Sequence, residues 1–167
     1  MDGGWGAPSI ATNSMSDDAF TLDTNILFYS VDRDAGHRHE IAKSIIRRAR
    51  RLPCYLTLQS ISEFYAAATR RRLLPRPVAA RIADDLMGLF PTIAPSQPAV
   101  RRALQVAPSG RASYWDALLI ATAGENGCTV VLTEDLADGD VLFGVTVINP
   151  FAGTVLSSAA EALLSDE

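Results

Sequence analysis

The stretch from Tyr114 to about Glu125 is apolar nearly all round, and Gly127 stands where helix C-termini favour glycine. A helix with so little wet face belongs in a covered, central position rather than on a surface. It runs into Thr129–Thr133, a short run of apolar and β-branched residues that reads as a buried strand, and Phe20–Asp23 reads as another. Short buried strands alternating with helices indicate a parallel sheet covered on both faces. The expected class is therefore α/β. A chain of 167 residues is long enough for one such core, and neither an internal repeat nor a second domain is visible.

The remaining elements follow from spacing. Asn25–Val31 suits a short helix, and a helix over about His37–Arg51 carries Ile41, Ala42, Ile45, Ile46 and Ala49 at helical intervals. Pro53 breaks it, and Cys54–Thr57 forms an apolar strand. A helix from Gln59 or Ser60 to Arg72 is expected to turn Ile61, Phe64, Tyr65 and Ala68 inward. Pro75 and Pro77 punctuate before a helix over about Val78–Phe90, with Ile82, Leu86 and Leu89 inward. Thr92–Ala94 is a candidate strand, Pro98–Val106 a modest helix and Val145–Ile148 a further strand. Residues 1–18, rich in Gly, Ser and Asn without periodicity, are expected to be a disordered leader, with a functional start at Met15. Residues 19–151 are expected to form the domain. Residues 152–167 are expected to be a tail with a turn of helix around Ala159–Leu164.

Composition narrows the class of function. Hydrophobic content of 48% with 20% charged residues argues against global disorder, and no apolar run approaches the roughly 18 residues of a membrane span. Without a basic-then-apolar start, the default expectation is a cytoplasmic location. Cys54 and Cys128 lie in apolar surroundings and read as small core residues; His37 and His39 read as surface residues. Net charge is −4, yet the cations cluster: Arg47, Arg48, Arg50 and Arg51 form one group, and Arg70, Arg71, Arg72 and Arg76 another. Such clusters either grip phosphates bidentately or solvate a helix face, and net charge does not choose between the two.

Four acids stand out by position: Asp23, Glu63, Asp116 and Asp135. Asp23 and Asp135 follow buried strands, and Glu63 and Asp116 open helices. In a parallel sheet, strand ends and the starts of the helices after them share one edge, so all four can converge. Each has a plainer reading. Asp23 and Asn25 suit a turn and helix cap. Ser60-x-x-Glu63 and Ser113-x-x-Asp116 match capping boxes, and Asp135 shares its loop with Glu134, Asp138 and Asp140. Glu63 shares a face with the small Ala66 and Ala67, which leaves room for a ligand. Asp116 is the hardest to explain as a cap, because a carboxylate on so apolar a helix is costly unless it is paired or bound to metal. Converging carboxylates repel and raise one another's pKa, which a hard divalent cation relieves. Such an ion lowers the pKa of bound water and neutralises charge building on a phosphate, which is the chemistry of phosphodiester hydrolysis.

Leu22-Asp23-Thr24-Asn25, Ser62-Glu63-Phe64, Tyr114-Trp115-Asp116-Ala117-Leu118 and Thr133-Glu134-Asp135-Leu136 together resemble, in order and spacing, the motifs of PIN-domain ribonucleases. The chain is most similar to the VapC-type toxins of bacterial toxin–antitoxin modules, and the ending Gly144–Phe151, Gly-x-x-x-x-Asn-Pro-Phe, also looks like that group. The resemblance covers roughly Phe20 to Phe151. It implies a three-layer α/β/α sandwich with a mainly parallel sheet and a Mg²⁺- or Mn²⁺-dependent endoribonuclease. Asp23, Glu63, Asp116 and Asp135 would be the acidic metal-binding cluster, with Asn25 and Thr133 holding the first and last carboxylates or a metal-bound water. The resemblance also implies a cognate antitoxin, which often inserts an Arg into the acidic site, and a homodimer. The leader before Phe20 departs from the usual pattern, and Asp135 against Asp138 stays open as the fourth acid. Arg70, Arg71 and Arg72 are the candidate RNA contacts.

Other classes fit less well. A phosphoaspartate mechanism needs a Lys near a later strand end, and the only lysine, Lys43, falls in an early helix. No Gly-rich phosphate loop follows a strand, which disfavours a nucleotide-binding module. A catalytically inactive PIN-like interaction module is the alternative. It is expected to lack one or more of the four acids, and all four are present.

Overall fold

The computed structural model of the protein describes residues 18–165; the expected leader and Met15 lie outside the described residues. Six strands form one sheet: β1 (Phe20–Leu22), β2 (Cys54–Thr57), β3 (Thr92–Ile93), β4 (Val130–Leu132), β5 (Val141–Leu142) and β6 (Val145–Ile148). Their order is β3-β2-β1-β4-β6-β5, and every pairing is parallel except that of β5 with β6. The helices are α1 (Thr24–Tyr29), α2 (His37–Ala49), α3 (Leu58–Arg70), α4 (Arg76–Leu89), α5 (Gln97–Val106), α6 (Tyr114–Glu125) and α7 (Ser158–Leu163). The result is an α/β/α sandwich with a mainly parallel sheet.

Strand alternation divides the core in two. Val130 and Leu132 of β4 join the cluster formed with α1 to α4 and α7, while Val131 between them joins the cluster formed with α5 and α6. The all-round apolar character of α6 has the cause expected for it: seven successive residues, Ala117 to Ala123, are buried. Gly124 lets α6 lie close to the sheet edge, since a Cβ there would stand 3.1 Å from Val145 Cγ2 and 3.2 Å from the Phe143 carbonyl oxygen.

The strand order sets the position of the site. From β1 the sheet extends one way through β2 and β3 and the other way through β4, β6 and β5. The crevice at the carboxyl ends of β1 and β4 is therefore a topological switch point, where open α/β sheets bind ligands. Leu22 pairs with Leu132, and the Asp23 N–H donates to the Leu132 carbonyl at 3.0 Å, so Asp23 comes level with Thr133.

Several expectations are corrected. Tyr65 does not join the inward stripe of α3 and is 37% exposed; Leu89 of α4 is 44% exposed, and Ala79 and Ala83 join the expected Leu86 on the buried face. The antiparallel edge strand β5 was not expected, because two residues are too few for alternation to register. It turns into β6 through Phe143 and Gly144, both at positive φ (53° and 78°), as in a type I′ hairpin. His39 is half-buried rather than a surface residue, and its Nδ1 lies 2.8 Å from the Tyr29 carbonyl oxygen.

The segment expected as a tail is packed. After a short hairpin, β7 (Phe151–Ala152) and β8 (Val155–Leu156), helix α7 buries Ala160 and Leu163, and Leu164 follows them into the larger core cluster. Arg48 clamps α7 from α2, bonding both Glu161 carboxylate oxygens (3.0 and 2.9 Å) and the Leu164 carbonyl (3.0 Å). That arginine is thus neither a phosphate grip nor a solvated face. Among the described residues no helix is long and apolar enough to cross a membrane.

Candidate active site

At the switch point a cavity of about 370 Å³ is lined by Asp23, Glu63, Asp116 and Asp135, with Thr24, Asn25, Ala66, Ala67, Arg70, Arg71 and Trp115 around them. The four acids expected to converge do line one cavity, although they come from four separate segments of the chain. Asp138 does not: its Oδ1 accepts from the Asn149 N–H at 2.8 Å and holds the turn into Pro150. Arg72 is absent from the lining as well. It lies past the end of α3 with a left-handed φ of 55°, while Arg70 and Arg71 stay on the helix side of that bend.

Asp23 is the buried member, only 6% exposed. It stands at the N-cap of α1, but its side chain makes no capping bond. Its Oδ2 instead accepts from Thr133 Oγ1 at 2.8 Å across the β1–β4 gap. Asn25 Nδ2 donates to Asp135 Oδ2 at 3.0 Å across the same gap. The two turns are therefore cross-braced, each carboxylate held by a residue of the opposite turn.

The capping expectations sort differently from their sequence appearance. Thr57, not Ser60, caps α3, because the Ser60 N–H donates to Thr57 Oγ1 at 3.0 Å. Glu63 is thus free of a capping box. Its Oε2 accepts from Thr24 Oγ1 at 3.2 Å and its Oε1 from Gln59 Nε2 at 2.9 Å. Ser113 does cap α6, accepting from the Asp116 N–H at 3.1 Å and donating to Asp116 Oδ2 at 2.6 Å. Asp116 is only half-buried because it sits in the first, open turn of α6; the deeply buried charge is at Asp23.

The electrostatics follow from this arrangement. Burial raises the Asp23 carboxyl to about 7, the Thr133 bond opposes that rise, and the charges of Asp135 and Asp116 add to it. Burial also raises Asp116, opposed by the Ser113 bond and reinforced by Asp135 and Glu63. Among the described residues no ion pair includes any of the four acids, whose partners are neutral hydroxyls and amides. The negative charge is therefore hydrogen-bonded but uncompensated.

An all-oxygen donor set of this kind fits a hard divalent cation. Among the described residues, though, no three His, Cys, Asp or Glu side chains are grouped closely enough to hold an ion as they stand. Each carboxylate is turned toward its own donor. The chemistry of the donors fits, and Asp23, Glu63, Asp116 and Asp135 are the residues that would hold such an ion.

Sequence reasoning did not single out Trp115, Gln59 or Thr24 as lining or bracing groups. Trp115 had the clearest signal, an aromatic beside an acid in the first turn of a helix. Glu134, next to Asp135, is drawn off by Tyr29 and by Arg38 at 3.0 Å, with the Arg38 guanidinium over the rings of both Tyr29 and Phe151.

The PIN domain family model matches residues 20–137. No curated protein matches the chain. Among solved structures, a toxin–antitoxin complex from Klebsiella pneumoniae is similar at 22% identity and TM-score 0.55, covering 80% of this chain and 98% of that one. VapC20 from Mycobacterium tuberculosis, described as a sarcin–ricin loop cleaving toxin, is similar at 20% identity and TM-score 0.56, covering 73% and 92%. DNA-bound VapBC from Salmonella typhimurium is similar at 17% identity and TM-score 0.56, covering 77% and 96%. At these identities the likeness is one of fold.

Proposed function

The chain belongs to the PIN domain family, and on that premise we propose that it is a divalent-metal-dependent endoribonuclease, the VapC-type toxin of a toxin–antitoxin pair. The observation that carries this reading is the convergence of Asp23, Glu63, Asp116 and Asp135 on one cavity, none of them in an ion pair among the described residues. Bound there, Mg²⁺ or Mn²⁺ supplies positive charge against a scissile phosphate and lowers the pKa of a water.

Asp23 and Asp116 are the principal ligands in this proposal, with Glu63 and Asp135 completing the set. Thr133 keeps the buried Asp23 carboxylate aimed into the cavity, and Asn25 does the same for Asp135. Ala66 and Ala67 leave space for the strand, and Arg70 and Arg71 meet flanking phosphates. Arg72, off the cavity wall, is not part of this grip. The nuclease unit runs from residue 19 through α7, whose leucines are part of its core. Similar folds occur in proteins described as toxin–antitoxin complexes, which supports an antitoxin as partner. A homodimer in the cytoplasm completes the reading.

The test is cleavage of RNA by the purified protein with Mg²⁺ or Mn²⁺, beside Asp23→Asn and Asp116→Asn. Both variants should stay folded and lose activity. Wild-type rates in either folded variant would refute the assignment, and so would metal-independent cleavage. A folded wild type that cleaves no RNA with either ion would favour the inactive interaction module.

A further inference from the structure

Trp115 directly precedes Asp116, yet its indole is 57% exposed at the rim of the acid cavity. On its other side lies a second groove of about 490 Å³, walled by Leu58, Ala66, Pro95, Trp115 and Leu118. The two spaces adjoin, since Glu63, Ala66 and Trp115 line both. One is acidic and flanked by Arg70 and Arg71; the other is almost wholly apolar. A large aromatic face between a charged cavity and an apolar slot suits a ligand with a charged backbone and flat apolar appendages.

The indole is held in place. Its ring meets Tyr114 edge-on at 5.0 Å, and the backbone carbonyl of Trp115 accepts from Gln59 Nε2 at 3.0 Å. The same amide nitrogen donates to Glu63, so one side chain ties the groove wall to an acid of the cavity. Both of its neighbours are acceptors, which fixes the amide orientation and leaves Gln59 Oε1 buried without a hydrogen-bond partner among the described residues. An acceptor wanting a donor therefore sits on a residue of the groove wall.

We propose that Trp115 is a base-stacking residue: the groove beside it takes a nucleobase that is unpaired at that position, next to the phosphate held over the acids. The inference rests on the nuclease reading of the acid cavity. Stacking tolerates any base because every base has a π-face, but it requires that base to be out of a duplex. Trp115 then sets the strand's register, while Arg70 and Arg71 grip phosphates on the opposite side.

The test uses the full chain with Trp5→Phe, which leaves Trp115 as the sole tryptophan, and Asp23→Asn to suppress cleavage. Oligoadenylate should quench its fluorescence in Mg²⁺, and the same strand annealed to oligouridylate should not. In chains with Asp23 intact, Trp115→Leu and Trp115→Ala should each lower kcat/KM on single-stranded RNA by roughly 10- to 100-fold, and Trp115→Phe by much less. Equal activity of the Leu and Phe variants would overturn stacking, as would quenching by the duplex or by neither form. Loss that tracks a dimer-to-monomer shift in Trp115→Ala would assign the groove to a second copy instead. Quenching by the single strand without cleavage by the wild type would keep the stacking site and sink only the nuclease reading.

Discussion

Thr133 Oγ1 donates to Asp23 Oδ2 at 2.8 Å, joining residues 110 positions apart at the one place in the sheet where the strand order reverses. The bond favours the charged carboxylate, and burial opposes it. Thr133→Val keeps the branched shape and removes the donor. It should destabilise the protein by about 1–3 kcal/mol, the usual cost of a buried group left unpaired. The loss should be larger at pH 8, above the Asp23 value, than at pH 5. Urea denaturation at the two pH values measures it; equal losses would show that the bond does not discriminate between charge states.

A sharper pH dependence is expected of Asp23 itself. Its folded value of about 7 lies above the ordinary carboxylate value, so between about pH 4 and 7 the folded chain holds a proton that the unfolded chain has lost. Stability of the metal-free protein should therefore fall as pH rises through that window and level off above it. Asp23→Asn removes this slope and should be more stable than wild type at pH 8 by on the order of 2 kcal/mol without metal, while losing cleavage. Added Mg²⁺ should raise the melting temperature of the wild type and leave the variant nearly unchanged. A variant less stable than wild type at pH 8 would contradict the charge argument.

Ser113 does two jobs at the start of α6, capping the helix and holding Asp116 Oδ2. Ser113→Ala should cost about 1 kcal/mol of stability as a lost N-cap. Ser113→Asp should restore the cap but crowd Asp116 with a further negative charge. Activity with Mg²⁺ should then follow the charge and not the cap. Recovery of both stability and activity in Ser113→Asp would exclude this division of roles.

The arginines separate by geometry. Arg70→Gln and Arg71→Gln should each weaken RNA binding and flatten its salt dependence, by roughly 0.7 in the logarithmic slope per lost phosphate contact on a single strand. Arg72→Gln, off the cavity wall, should change neither. Binding isotherms across a series of salt concentrations give the slopes, and an effect confined to Arg72 would reverse the assignment.

Helix α7 is a structural element and not a tail. Leu163 and Leu164 are each 1% exposed, so Leu163→Ala should cost about 2–5 kcal/mol. Arg48→Gln should loosen the same helix without touching the acid cavity. Wild-type melting temperatures in both variants would show that α7 is not part of the folded core.

Much of this architecture was legible in the chain because its signals are local. The span of α6 and the strands Cys54–Thr57 and Val145–Ile148 follow from apolar periodicity, breakers and length, which need no knowledge of the neighbours. What failed lay mainly in short pieces: β5 and the β7–β8 hairpin are too brief for periodicity to register, and α7, expected as a turn of helix in a tail, packs into the core. Tyr65 and Leu89 sit at inward helical intervals yet are exposed, Tyr65 in the middle of α3 and Leu89 at the last residue of α4.

The candidate site shows the same divide more sharply. The sequence alone determined that acids follow two buried strands and open two helices, because strand ends and helix starts share an edge in any parallel sheet. It could not determine how each acid is held. Ser60-x-x-Glu63 and Ser113-x-x-Asp116 look alike as capping boxes, yet Thr57 takes over the first cap and only the second forms. Asp23, which reads as a helix cap, makes no cap, and its partner is a threonine from the far strand. The caps are local bonds three residues apart, but the Asp23 outcome depends on which hydroxyl the pairing of β1 with β4 brings within 3 Å, a distance set by sheet register and not by sequence spacing. Only the tertiary structure decided that the buried, uncompensated charge is Asp23, and it did so by setting that residue at the bottom of the switch-point crevice and Asp116 at the open start of a helix.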